Sequence, residues 1–203
     1  MNQSLKKMLI VNVCLFALTG QANADSLSEA QIVLNSGNYK EAAKLFIPLA
    51  NMGIAPAQAS LGAMYANGQG VLQDYIEAFK WYQLAAEQGD ADAQTSLGGM
   101  YYSGRGVPQD FKEAAKWHRL AAEQGNASSQ WSLGLMYKIG QGVPVDLVLA
   151  HMWINIAAAN AVSKIQDKYM GLRNSVAVHM TTNEIAEARE LARKCIANKF
   201  KGC

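Results

Sequence analysis

The chain has 203 residues, half of them hydrophobic and 17% charged, with only four prolines. That is long enough to bury a continuous core and too apolar for a disordered or fibrous chain. The formal charge is +2, and once Lys6 and Lys7 are set aside the acidic and basic side chains balance. A basic footprint for nucleic acid is therefore absent.

The first stretch combines the positive start at Lys6 and Lys7 with an uncharged run from Met8 to Gly20. The small residues Ala22-Asn23-Ala24 follow. This order reads as a secretory signal over 1–24, cleaved so that the mature chain starts at Asp25. The apolar run falls short of the roughly 20 residues that cross a bilayer as a helix, so no membrane span is expected after cleavage. Cys14 lies inside the run rather than at its small-residue end, which argues against lipid attachment there. The expected location is periplasmic or secreted.

From Asp25 to Gly53 the sequence reads as a short helical hairpin turned by Ser36-Gly37-Asn38, with Ala42, Ala50 and Gly53 one period ahead of Ala78, Ala86 and Gly89. A period of 36 residues then dominates. Leu61-Gly62, Leu97-Gly98 and Leu133-Gly134 recur at that spacing, each followed by Met-Tyr at 64–65, 100–101 and 136–137. Gly68, Gly104 and Gly140 keep step, as do Gly70, Gly106 and Gly142, and Asp74, Asp110 and Asp146. So do Trp81, Trp117 and Trp153, which their strict period assigns to core packing.

Each unit reads as two helices. The first runs from about Ala57 to Asn67 in its first copy and ends at a glycine suited to a left-handed turn. The second opens after Asp74 or Asp110, with Glu77 or Glu113 placed to complete a capping-box-like pair; Asp146 has Leu149 there instead. Gly89 and Gly125 close it, and Asp90 or Asn126 caps the next first helix. Glycine within a helix costs roughly 1 kcal/mol against alanine, so Gly62, Gly98 and Gly134 imply close helix contacts.

The patterns L-G-x-M-Y, G-x-G-V-x-x-D, A-x-x-W and A-A-E-x-G resemble the Sel-1-like repeat family, a relative of the tetratricopeptide repeat. The resemblance implies an all-α, right-handed α-solenoid with units at 55–90, 91–126 and 127–162, preceded by a tetratricopeptide-like unit at 25–54. Beyond 162 the register dissolves, with Tyr169 and Met170 where Leu and Gly are expected. A helix from Ser163 to about His179 and another from Thr182 to about Phe200, opened by a Thr181–Glu184 capping box, form a C-terminal helical cap at 163–203. Glu184, Glu187, Arg189, Glu190, Arg193 and Lys194 give the cap a polar outer face.

Cys195 and Cys203, an even pair in an exported chain, read as a disulfide, with two independent thiols as the alternative. A continuous helix would hold their α-carbons about 12 Å apart. A disulfide needs less than about 7 Å, so the helix must end near Phe200, with Gly202 allowing the turn.

No catalytic or metal-binding constellation emerges, and no cofactor is implied. His118, His151 and His179 have no ligand partner at i+3 or i+4, which makes them surface or groove residues. Positions constant across units are explained by stacking, whereas variable positions on first helices are free to serve a ligand. The resemblance implies that first helices line a concave groove, where the variable residues are Thr95, Gly99, Tyr102, Trp131, Leu135 and Lys138. Trp131 stands where other units carry Ala59 and Thr95, so no repeat rule requires it.

The expected function is a non-enzymatic scaffold that binds a protein or peptide in that groove. The alternative is an envelope hydrolase acting on β-lactams or peptidoglycan, which the resemblance attributes to relatives with a cysteine pair in each repeat, absent here. A third reading is an architectural spacer.

Overall fold

A computed structural model describes residues 23–161 and 163–203, and these residues are all-helical. The signal expected over 1–24 lies outside them but for its last two residues. The helices are α1 (23–35), α2 (Tyr39–Asn51), α3 (Ala55–Asn67), α4 (Tyr75–Glu87) and α5 (Ala91–Ser103). After them come α6 (Phe111–Ala122), α7 (Ala127–Ile139), α8 (Leu147–Asn160), α9 (Ser163–Ala177) and α10 (Thr182–Ala197). Each helix from α2 to α8 packs on the next, and α10 returns to pack on α8. The result is a right-handed solenoid of helical hairpins closed by a helical cap.

The punctuation of each unit acts as its residues dictate. Gly104 ends α5 at φ +70°, and Asp110 accepts from the N–H groups of Lys112 and Glu113 at the start of α6. Gly106 combines φ +73° with a backbone so close to α4 that a β-carbon would lie 2.2 Å from the Tyr75 carbonyl oxygen. No other residue fits there.

The expected capping boxes at Glu77 and Glu113 are not formed. The N–H of Asp74 already donates to the Tyr65 carbonyl, and that of Asp110 to Tyr101, both at 3.0 Å, closing the loop between the helices. With no backbone donor left to accept, Glu77 pairs with Lys80 and Glu113 with Lys116. At Thr181 the box does form, since that N–H is free to donate to Glu184 at 2.7 Å.

A buried polar ladder joins the units. Gln58, Gln94 and Gln130 donate to the carbonyls of Ala50, Ala86 and Ala122, and accept from Gln88, Gln124 and Asn160. Satisfied at both ends, these buried amides fix the register of one hairpin on the next.

The tryptophans divide. Trp153 is fully buried, whereas Trp81 and Trp117 are half-buried against the cores of neighbouring units. The cap explains the difference: α10 lies on α8 and covers its outer side, so Ile156 is buried while its repeat equivalents Leu84 and Leu120 are exposed.

The cap's last helix ends at Ala197, earlier than Phe200. Lys199 and Phe200 both take positive φ, 53° and 64°, so the turn is made largely before Gly202. This brings the Cys195 and Cys203 α-carbons to 5.5 Å, and the sulfurs are bonded. Phe200 packs on Gly125 at the end of the preceding unit's second helix, 3.1 Å from where a β-carbon would stand.

Candidate functional site

Three first helices, α3, α5 and α7, lie side by side, with second helices behind them. Glycine sets the depth of this layer. A β-carbon on Gly62 would meet the Tyr82 ring at 2.9 Å, and one on Gly98 the His118 ring at 2.7 Å. On Gly134 it would meet Ile154 at 2.6 Å. These second-helix side chains therefore reach forward between first helices and form the floor of the face.

Between α5 and α7 that face opens into a cavity of about 370 Å³ lined by Thr95, Gly99, Tyr102, Trp131, Leu135 and Met136, with Ser132 and the His118 ring completing it. Five of the six variable positions singled out in sequence thus come together. Lys138 does not join them: its ammonium donates to Ser175 on α9 at 3.1 Å.

An equivalent hollow of about 420 Å³ lies between α3 and α5, with Tyr82 where the first has His118, Ser96 for Ser132, Met100 for Met136 and Gly99 for Leu135. Gly99 therefore borders both. It is exposed, and an added β-carbon would meet nothing within 4 Å. Neither packing nor backbone conformation requires glycine there, unlike its neighbour Gly98.

Trp131 has a structural role that its sequence position did not reveal. Its ring stacks on Tyr169 of α9, with centroids 5.7 Å apart and planes at 17°, and the Lys168 ammonium sits 4.8 Å from its centroid. The indole is thus a wall shared by the cavity and the cap.

Of the three histidines expected at the surface or in the groove, His118 lines the groove and His179 is on the surface, whereas His151 is in neither place. His151 is 2% exposed among the helices of the cap, and burial, with Arg173 and Arg189 nearby, lowers its pKa to about 4. His118 is 5% exposed, and burial lowers its pKa to about 4 as well, so both rings are neutral at pH 7. Only His179 is exposed. Helices α5, α6 and α7 also supply a polar chain missed in sequence: His118 Nδ1 lies 3.2 Å from Ser129 Oγ, which lies 2.8 Å from Thr95 Oγ1. The available signal was that Ser129 replaces the alanines at 57 and 93, and His118 replaces Tyr82.

Among the described residues no cluster of three or more His, Cys, Asp or Glu side chains is placed to hold a metal ion, and no helix is long and apolar enough to cross a membrane.

Stacked helical hairpins with an open, apolar hollow between adjacent first helices define an α-solenoid of the interaction type. Residues 55–90, 91–126 and 127–162 each match the Sel1 repeat, so more than half of the chain is covered and it belongs to that family. Sel1 repeats mediate protein interactions.

Among solved structures, c5321, a protective antigen present in uropathogenic Escherichia coli strains displaying an SLR fold, is 40% identical. The match covers 73% of this chain and 33% of that one with a TM-score of 0.61. This chain therefore spans about a third of c5321. A Sel1 repeat protein from Oxalobacter formigenes is 38% identical over 62% of this chain and 95% of its own, with a TM-score of 0.56. No curated protein matches the chain.

Proposed function

We propose that this protein is an exported scaffold that binds a segment of a protein partner across its first-helix face, with the cavity between α5 and α7 as the anchoring point. The observation that carries this reading is the convergence of Thr95, Gly99, Tyr102, Trp131 and Leu135 on one cavity. All five stand at positions that the repeat leaves free to vary, and aromatic side chains are enriched where binding energy concentrates. The export half rests on the order of charge, apolar run and small residues over 1–24. The hydrolase alternative gains nothing from the family or from either solved relative.

A photo-crosslinking amino acid at position 99 tests the groove in living cells, because a side chain there projects into open space. The control places it at Leu84, exposed on a second helix. A discrete protein adduct from position 99 and none from position 84 supports the reading; equal adducts, or none, refute it. Export is tested by the mass of protein from the periplasmic or culture fraction, which must start at Asp25.

A further inference from the structure

The cavity between α5 and α7 has an uneven supply of hydrogen-bonding groups. Its hydroxyl protons are already committed: Thr95 donates to the Ala91 carbonyl at 2.8 Å, Ser132 to Ser128 at 2.9 Å and Tyr102 to Gln141 Oε1 at 2.7 Å. Since Thr95 has used its one proton, Ser129 must donate to Thr95. Ser129 must then accept from His118, which places the imidazole proton on Nδ1. His118 Nε2 is left with a lone pair and no partner among the described residues, on a ring that lines the cavity. The lining therefore presents acceptors and apolar surface with no free hydroxyl proton; its one unpartnered donor is the indole N–H of Trp131, which is itself buried.

Repeat architecture does not call for this chemistry. The unit before it fills the same places with Tyr82, Ala93 and Ala59. Burying a histidine and a serine where alanine and tyrosine suffice costs stability unless the polar groups are matched. A histidine is also shorter than the tyrosine it replaces, which leaves space beside Ser132 where the phenol end of Tyr82 approaches Ser96 in the neighbouring unit.

We propose that this cavity receives a tyrosine or tryptophan side chain of a protein partner, whose phenolic or indole hydrogen is accepted by Nε2 of His118. An aromatic ring matches walls of Trp131, Leu135 and Met136, and its polar hydrogen supplies the donor that His118 Nε2 lacks. A carboxylate is excluded because nothing in the lining is cationic, and its oxygens would face the lone pair of Nε2. A lysine or arginine head is excluded because no carboxylate lines the cavity to compensate its burial. The inference rests on the groove reading and adds the identity of the anchoring side chain.

The test uses acetylated, amidated peptides Gly-Ser-X-Ser-Gly, with X as Tyr, Trp, Phe, Leu or Ala, titrated into the protein. Binding is followed by the amide signal of Gly99 and the imidazole nitrogens of His118 in nuclear magnetic resonance. The Tyr and Trp peptides are expected to bind about three- to tenfold more tightly than the Phe and Leu peptides, the size of one net hydrogen bond, and only they shift the Nε2 signal.

The paired substitution His118→Phe with Ser129→Ala, which puts an aromatic ring and an alanine where the preceding unit has Tyr82 and Ala93, keeps the fold and removes that preference. If Phe binds as well as Tyr, or the pair retains the preference, the inference falls while the groove reading stands. If no peptide perturbs Gly99, both fall. If free phenol or indole binds as tightly as the peptides, the site serves a small aromatic compound and the protein-partner assignment is overturned.

Discussion

Trp131 and Tyr169 stack with ring centroids 5.7 Å apart, Trp131 at a position that varies from unit to unit and Tyr169 where the repeat expects leucine. The cap helix α9 meets the array at this contact, where a further repeat would place leucine. Tyr169→Leu is expected to cost about 1 kcal/mol beyond its lost area. In a double-mutant cycle with Trp131→Ala, measured by urea denaturation, the coupling energy should be of that size. Additive effects would mean that the rings touch without stabilising one another.

Gly98 and Gly99 are adjacent on α5 and should respond oppositely to alanine. At position 99 the methyl group meets nothing within 4 Å, so Gly99→Ala is expected to stabilise the protein by about 0.5–1 kcal/mol through helix propensity. At position 98 it would meet the His118 ring at 2.7 Å, so Gly98→Ala is expected to destabilise by about 1–3 kcal/mol through overpacking. Urea midpoints at constant m-value check both signs.

Acid should weaken the fold through its buried histidines. In the unfolded chain an imidazole protonates near its ordinary value of 6.5, whereas His118 and His151 stay neutral in the folded protein down to about 4. The unfolded state thus binds more protons between those values, and stability falls as pH drops from about 6.5 to 4. For His118 the loss approaches about 3 kcal/mol at the lower limit. His118→Phe with Ser129→Ala should flatten that part of the curve, as followed by thermal melts across the pH range; an unchanged slope would assign the acid sensitivity elsewhere.

Reducing the Cys195–Cys203 bond should act locally. The bridge closes a short loop, worth about 2–3 kcal/mol in the unfolded chain, and holds the turn that seats Phe200 on Gly125. With Cys203→Ser, amide exchange should quicken in α10 and at the end of α6 while the α3–α5 units keep their protection. Uniform acceleration along the solenoid would instead make the bridge a global staple.

Repeat length, hairpin units, the cap and the pairing of Cys195 with Cys203 were legible because each depends on local chemistry: the units repeat it at constant spacing, and the cap carries its own capping box and cysteine pair. Glycine ends a helix and aspartate caps one wherever they stand, and three copies make the pattern unmistakable. What sequence could not supply was which partner outside its own helix a group would meet. Glu77 lost its capping role to a backbone bond from Asp74 to Tyr65. Trp131 proved to be a wall as well as a contact, because Tyr169 comes to meet it. His118, expected at the surface or in the groove, lies on the cavity floor because Gly98 opens a slot for its ring, and only that burial turns Thr95, Ser129 and His118 into one hydrogen-bonded chain. Local punctuation determined the fold; stacking of one hairpin on the next decided which variable residues share a cavity and what chemistry they present there.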